Sequence, residues 1–507
     1  MLSKAFRLLT VVAVLALTLA YAPAAVADDI SETKGFRKAV TLDGIREHQA
    51  ALQEIADEND GIRLAGTPGH DASAQYVYDK MVAAGYVVSF QEFEFELVSD
   101  VSPPELAQVS PNAVTYIDGV DFATMSYSGS GDVTAAVSVP SGDTRGCNAS
   151  DWAGFPAGNI ALVLRGAPPG FPVACTFRLK ADNASAAGAT AVLVYNNVPG
   201  VINGTLAAPR YNKSVMGLTQ ALGQQLAALV PTGLTMHVKT ETTAETRTTR
   251  NVIAETPGGD PNHVIVIGAH LDSVSRGPGI NDNGSGSATI LEVAEVFAAQ
   301  GRVPRNKLRF AWWSAEEQNL IGSTYYVNNL TQAQKDAIEL NLNFDMIGSP
   351  NFVRFVYDGN NSAGGGAVGP AGSGAIEQLF LDYFASQSLA NAPTPFNGRS
   401  DYGPFIAAGI PAGGLFTGAE GVKTAEQAAI YGGTAGANYD PCYHLACDTY
   451  ANNSNTALDQ MSDAVAHSVL LFSKRNFDNQ PLVDLAPGAE PAGSGSGGLH
   501  THPEETE

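Results

Sequence analysis

Cysteine and basic residues are scarce in this 507-residue chain, and each shortage removes a class of explanation. Four cysteines with no Cys-x-x-Cys among them offer no thiolate cage for a metal. Lysine and arginine total 28 against 51 aspartates and glutamates, a net charge of -23, which argues against nucleic acid or an anionic membrane as partner. After the first residues, no apolar run reaches the roughly eighteen needed to span a bilayer. Gly-x-Ser-x-Gly and His-Glu-x-x-His are both missing, so serine-hydrolase and single-zinc metalloprotease readings lose their local support.

The N-terminus carries Lys4 and Arg7, an apolar run from Leu8 to Ala20, and Ala25-Val-Ala27 before Asp28. This predicts a cleaved secretory peptide over residues 1–27 and a soluble, secreted, extracellular product, expected as a monomer. Removing it takes away two positive charges and no negative ones, moving the net charge from -23 to -25. In an exported chain the four cysteines are expected as two disulfides, Cys442 with Cys447 and then Cys147 with Cys175.

Length allows two or three domains. Helical spacing over Leu42 to Ala56 and Asp71 to Ala84, then a strand from Val87 to Phe95, open an α/β region taken as 28–106. From 107 to 238 the texture changes to short strand-like runs rich in Gly, Pro and Asn, which predicts an inserted domain. Thr240 to Arg250 reads as a polar return linker. From 239 to 480 strands and helices alternate: Val264–Ala269, Ser287–Ala299, Leu308–Trp313, Gln318–Asn328, Leu340–Met346 and Gly374–Ser386. That order predicts a doubly wound, mainly parallel sheet with helices on both faces. Residues 481–507 combine Pro, Gly, Ser and acids without apolar periodicity and are expected to be disordered.

The chemistry gathers at strand ends. His270 follows Val264-Ile-Val-Ile267, Glu316-Glu317 follow Leu308-Arg-Phe-Ala-Trp-Trp313, and Asp345 follows Leu340-Asn-Leu-Asn-Phe344. Parallel strands deliver such ends to one edge, where open α/β sheets bind ligands. Asp282 in Gly279-Ile-Asn-Asp-Asn-Gly-Ser-Gly286 and His444 between Cys442 and Cys447 complete a nitrogen and oxygen set that suits zinc. Five ligands exceed what one tetrahedral ion with a water needs, so the reading is two Zn2+ ions sharing Asp282. Glu317 is assigned to metal and Glu316 to the general base, with Asp272 accepting the other ring proton of His270. Taken singly, each residue has a structural explanation: a hydrogen-bonded histidine, a helix cap, a solvated first turn. His48, His70, His237, His263 and His467 lack such settings and are read as structural.

At these residues the chain resembles the secreted dizinc aminopeptidases, the family of bacterial leucine aminopeptidase, yeast aminopeptidase Y and glutamate carboxypeptidase. The matching text is Gly268-Ala-His-Leu-Asp-Ser-Val274, the segment 279–286, Phe310-Ala-Trp-Trp-Ser-Ala-Glu-Glu317, Asn343-Phe-Asp-Met-Ile-Gly348, Arg399-Ser-Asp-Tyr-Gly-Pro-Phe405 and Cys442-Tyr-His-Leu-Ala-Cys-Asp448. The resemblance implies that Asp282 bridges, that His270 and Asp345 complete one zinc site, and that Glu317 and His444 complete the other. It also implies that Tyr443 bonds the tetrahedral intermediate, that Arg399 lies near the substrate, and that the peptide after Asp282 is cis. Tyr402 stands where close relatives often carry His. Gly158-Asn-Ile-Ala-Leu-Val-Leu-Arg-Gly166 and Ala187-Gly-Ala-Thr-Ala-Val-Leu-Val-Tyr-Asn196 resemble a protease-associated domain. The implied activity is removal of the first residue from peptide N-termini, with leucine favoured. Two rivals remain, a carboxypeptidase of the same family and a non-catalytic, receptor-like peptide-binding module.

Overall fold

A run of β-branched residues, Val264-Ile-Val-Ile267, forms the centre of the larger of two units. The computed structural model describes residues 27–484 apart from 172–174 and 203. Of the described residues, one compact unit comprises those up to Phe93 and from Thr249 onward, and the other comprises Glu94–Thr248. The expected signal peptide and most of the acidic tail lie outside the described residues.

In the larger unit, strand β1 (Asp260–His270) pairs in parallel with β2 (Asn306–Trp313) on one side and β3 (Ile338–Phe344) on the other. β4 (Ala412–Phe416) extends the parallel set beside β3. Beyond these four strands the sheet turns antiparallel: Val252–Glu255 pair with β2, and Phe355–Tyr357 with β4. The sheet is therefore mixed, with a parallel centre.

Alternation assigns the side chains of β1 to two cores. Ile265 and Ile267 pack with helices α1 (Gly284–Ala299), α2 (Ser373–Ser386) and α3 (Asn455–Lys474) through Leu291, Phe380 and Val465. Val264 and Val266 face the opposite way, onto Trp313, Tyr326 and Phe405. Because both faces are covered, the strand is apolar throughout. Its polar residues can only be at its ends.

The smaller unit has parallel strands Gly131–Ser138, Ile160–Leu164, Val192–Tyr195 and Val215–Leu218. Antiparallel neighbours and the helices Phe177–Ala186 and Gln220–Leu229 accompany them. Both expected disulfides are present, Cys147–Cys175 and Cys442–Cys447. Among the described residues no helix is long and apolar enough to cross a membrane.

Three expectations change. Thr240–Arg250 is not a linker but part of a strand, Thr235–Glu255, in which Met236, Val238, Thr240 and Thr242 are buried in alternation. Threonine is β-branched, so its polarity misled where its shape favours a strand. Positions 107 and 238 fall inside the strands Val87–Ser110 and Thr235–Glu255, and the compact unit is wider, Glu94–Thr248. Residues 481–484 are ordered: the Asp484 carboxylate accepts from the N–H groups of Gly372 and Ala375, at 3.0 and 2.9 Å, at the start of α2.

Candidate active site

His270 is the last residue of β1, beside Trp313 of β2, and it is buried. Its Nδ1–H donates to the carbonyl oxygen of Asp272 at 3.2 Å. That leaves Nε2 as the ring atom that faces the acids. Asp282 Oδ1 lies 3.2 Å from it, Asp345 Oδ1 3.3 Å and Glu316 Oε2 4.0 Å. His444 Nε2 stands in the same relation to other oxygens, 3.2 Å from Asp282 Oδ2 and 3.1 Å from Glu317 Oε2. The two oxygens of Asp282 thus face two different imidazoles.

Backbone geometry holds each donor in place. The Asp282–Asn283 peptide is cis. The N–H groups of Asn281 and Asp282 donate to the two carboxylate oxygens of Asp448, at 2.9 and 3.0 Å. Asn283 caps α1 through the Gly286 N–H, and its amide donates to the Phe344 carbonyl at 2.9 Å, tying α1 to β3. A Cβ on Gly286 would lie 2.1 Å from that carbonyl, so only glycine permits this approach. Ala315, Met346 and His444 have φ of 56°, 48° and 59°. Non-glycine residues in this region are strained, and each of these is, or adjoins, a site side chain.

The structure redirects Asp272. Its Oδ1 is 3.7 Å from His270 Nδ1, too far for a hydrogen bond, and its backbone carbonyl takes the ring proton instead. Its carboxylate accepts from the N–H groups of Glu316 and Glu317, at 3.2 and 3.4 Å, so it orients the acid pair. Tyr443 stacks on His444, and its hydroxyl accepts from Arg399 Nη2 at 3.1 Å. Arg399 Nη1 donates to Glu420 at 2.6 Å. Tyr402 is an interior tyrosine whose hydroxyl accepts from the N–H groups of Asn397 and Gly398.

Several contributors escaped the sequence reading. Arg63, fully buried, donates from Nε to the Pro278 carbonyl at 2.8 Å, from Nη2 to Gly279 at 2.6 Å, and from Nη1 to Leu271. It pins the segment joining His270 to Asp282, and a lone arginine in Gly61-Ile-Arg-Leu64 carries no signal of that. Ser400 donates to Asp345 Oδ2 at 2.6 Å and accepts from Asn343 at 2.8 Å. Ser400, Asn283 and Asp448 all lay within the quoted motifs, so adjacency was a usable signal for them.

Burial lifts Glu316 well above its ordinary value, with Asp401, Asp345 and Glu317 adding to the rise and His270 opposing it. Burial likewise raises Glu317 and brings Asp401 to about 7. Burial acts to lower His444, but Glu317 and Asp282 override it and hold the imidazole at about 10. Burial also acts against ionised Asp282, yet hydrogen bonds from His270 and His444 keep its carboxyl below the usual range.

This donor set fits metal ions. Two trios, His270 with Glu316 and Asp345, and His270 with Asp282 and Glu317, each bring ligand atoms within 4.8 Å of one another. Glu317 Oε1 and Asp345 Oδ1, both buried, accept no hydrogen bond among the described residues. Four buried carboxylates crowded on two imidazoles are costly unless a cation neutralises the surplus.

Comparisons with known proteins identify the family. Residues 251–469 match the model of peptidase family M28, and residues 130–226 match the PA domain. An aminopeptidase of Pseudomonas aeruginosa is 45% identical over 465 residues, covering 89% of this chain and 85% of that protein. Leucine aminopeptidase 2 of Trichophyton rubrum is 42% identical over 462 residues, covering 89% of each chain. Among solved structures, the aminopeptidase from Aneurinibacillus sp. strain AM-1 superposes with a TM-score of 0.69 at 27% identity, covering 90% of this chain and 98% of that one. A zinc aminopeptidase from Bacillus subtilis shares the fold, with a TM-score of 0.60 at 23% identity over 88% and 98% of the two chains. With its catalytic sheet and its inserted PA domain, the chain belongs to peptidase family M28, the metallo-exopeptidases.

Proposed function

We propose that this chain is a secreted aminopeptidase that holds two zinc ions and hydrolyses the first peptide bond of peptides, preferring apolar first residues such as leucine. The observation that carries the reading is Asp282, whose two oxygens each lie 3.2 Å from a different imidazole Nε2. His270 and Asp345 would complete one zinc site, and Glu317 and His444 the other. Zinc bound there would supply Lewis acidity, making water acidic near neutral pH and polarising a carbonyl.

The protein's own residues supply the rest. Glu316 sits beside the ligands without being needed as one, and burial gives it a higher proton affinity than an ordinary carboxylate, as suits a general base. It takes the proton of the attacking water and returns it to the leaving amine. Tyr443 donates a hydrogen bond to the carbonyl oxygen as charge develops there, and Arg399 orients the tyrosine hydroxyl. The names of the relatives, aminopeptidase and leucine aminopeptidase, support the N-terminal direction and the leucine preference. Two disulfides support an extracellular site of action.

The test is zinc analysis combined with leucine p-nitroanilide hydrolysis for wild type and Glu316→Ala. Zinc should be retained while turnover falls by about 10²–10⁴-fold, the range for a general base. Undiminished turnover removes Glu316 from that role. Peptides blocked at one end separate the rival directions: hydrolysis of N-acetylated but not of C-amidated peptides would favour a carboxypeptidase.

A further inference from the structure

A second group of metal-ligating side chains lies between the helix Leu42–Asp57 and α1, apart from the site above. His48 projects from the first helix, and Glu292 and Glu295 from one face of α1. His48 Nε2 is 3.1 Å from Glu295 Oε2 and 3.8 Å from Glu292 Oε2. One ligand atom from each of the three residues lies within 4.8 Å of the others.

Three observations point to a cation there. His48 is 2% exposed, and its Nε2, aimed between the two acids, makes no hydrogen bond of good geometry among the described residues. Glu292 is also buried, and its Oε1 accepts from the Thr41 N–H and hydroxyl at 3.1 and 3.3 Å. Its Oε2 turns to the histidine, the one basic side chain within 4 Å of it among the described residues. Finally, a Cβ on Gly44 would come within 2.4 Å of the Glu292 carboxylate, so the helix leaves room for that group only because residue 44 has no side chain.

The surroundings suit a ligating imidazole. Tyr76 OH lies 2.8 Å from His48 Nδ1, the outer hydrogen bond that fixes a metal-bound ring. Lys80 approaches the other oxygen of Glu295, at 3.9 Å, and leaves Oε2 to the histidine. The Glu295 side chain is 27% exposed, which provides a route in from solvent.

We propose that His48, Glu292 and Glu295 bind a divalent ion of the zinc type, with water filling the remaining positions. The ion is structural. It joins the helix Leu42–Asp57 to α1, whose N-cap Asn283 follows Asp282, and its binding energy adds to the stability of the fold.

Full-length wild type, Glu295→Gln and His48→Gln are stripped with chelator and dialysed against micromolar zinc sulfate. Wild type should retain one zinc per chain more than either variant, whatever number the active site holds. Zinc should also raise the unfolding temperature further in wild type than in Glu295→Gln. Crystals measured at the zinc absorption edge should show an anomalous peak between the three side chains. Should His48→Gln fail to fold, Glu295→Gln carries the test alone, because its change is partly exposed and nearly isosteric. Equal zinc contents, or an anomalous map with peaks only around His270 and His444, overturn the proposal and leave His48 as an ion-pair partner of Glu295.

Discussion

Buried charge is treated in opposite ways at two places, one in each unit. In the smaller one the ammonium of Lys180, fully buried, donates to the carbonyls of Arg145 and Gly166 at 3.0 and 2.6 Å, with the sulfurs of Cys147 and Cys175 at 3.6 and 3.1 Å. Every direction from it meets an acceptor. In the larger unit, Asp282, Glu316, Glu317 and Asp345 crowd two imidazoles, and Glu317 Oε1 and Asp345 Oδ1 accept no hydrogen bond among the described residues. A buried charge whose partners are complete belongs to the scaffold, whereas a surplus of unanswered acid marks a place built for ions.

Removing an acid from the surplus tests this contrast most severely. Asp345→Asn should lose zinc, and leucine p-nitroanilide hydrolysis should fall by roughly 10²-fold or more. Stripped of metal, the same variant should be more stable than stripped wild type, by about 1–3 kcal/mol in urea denaturation, because one uncompensated carboxylate is gone. A less stable apo variant would mean that the acids are satisfied after all. Arg63→Lys keeps the charge but loses the fork that holds three carbonyls, and zinc affinity measured by competition with a chelator should weaken about 10–100-fold.

The scaffold side of the contrast predicts a stability effect without a kinetic one. Lys180→Met should cost about 1–3 kcal/mol by stranding two buried carbonyls, while kcat on leucine p-nitroanilide stays unchanged. A fall in kcat alone would move Lys180 out of the scaffold class.

His467 sharpens the contrast further, as a buried histidine without an acid cage. Burial, helped by Arg37, pushes it from 6.5 down to about 3. The unfolded chain therefore binds a proton below pH 6.5 that the folded chain refuses until about pH 3, so stability falls as pH drops through that window. The slope attributable to this residue is at most about 1.4 kcal/mol per pH unit, and His467→Gln should flatten it in denaturation series from pH 6.5 to 5.5.

What the sequence made legible follows from chemistry that is local in the chain. His270, Glu316, Glu317 and Asp345 each follow an apolar run, so strand periodicity placed them on one edge before any contact was known. The parallel centre of the sheet was readable for the same reason. Arg63 was not, because its partners at Leu271, Pro278 and Gly279 are distant in sequence and are backbone atoms that no residue type encodes. Asp272 was assigned to the right neighbourhood but the wrong partner, since a two-residue offset cannot say whether a carboxylate or its own carbonyl faces the ring. The threonine-rich strand shows polarity hiding shape.

The six-residue ring closed by Cys442 and Cys447 contains His444, whose left-handed backbone it helps to confine. Thiol reductants in purification or assay buffers should therefore loosen a histidine that faces Asp282 and Glu317, and zinc should leak away without any change elsewhere in the sheet. Molecules made in a reducing cytosol would lack the clasp, so full activity would await an oxidising environment.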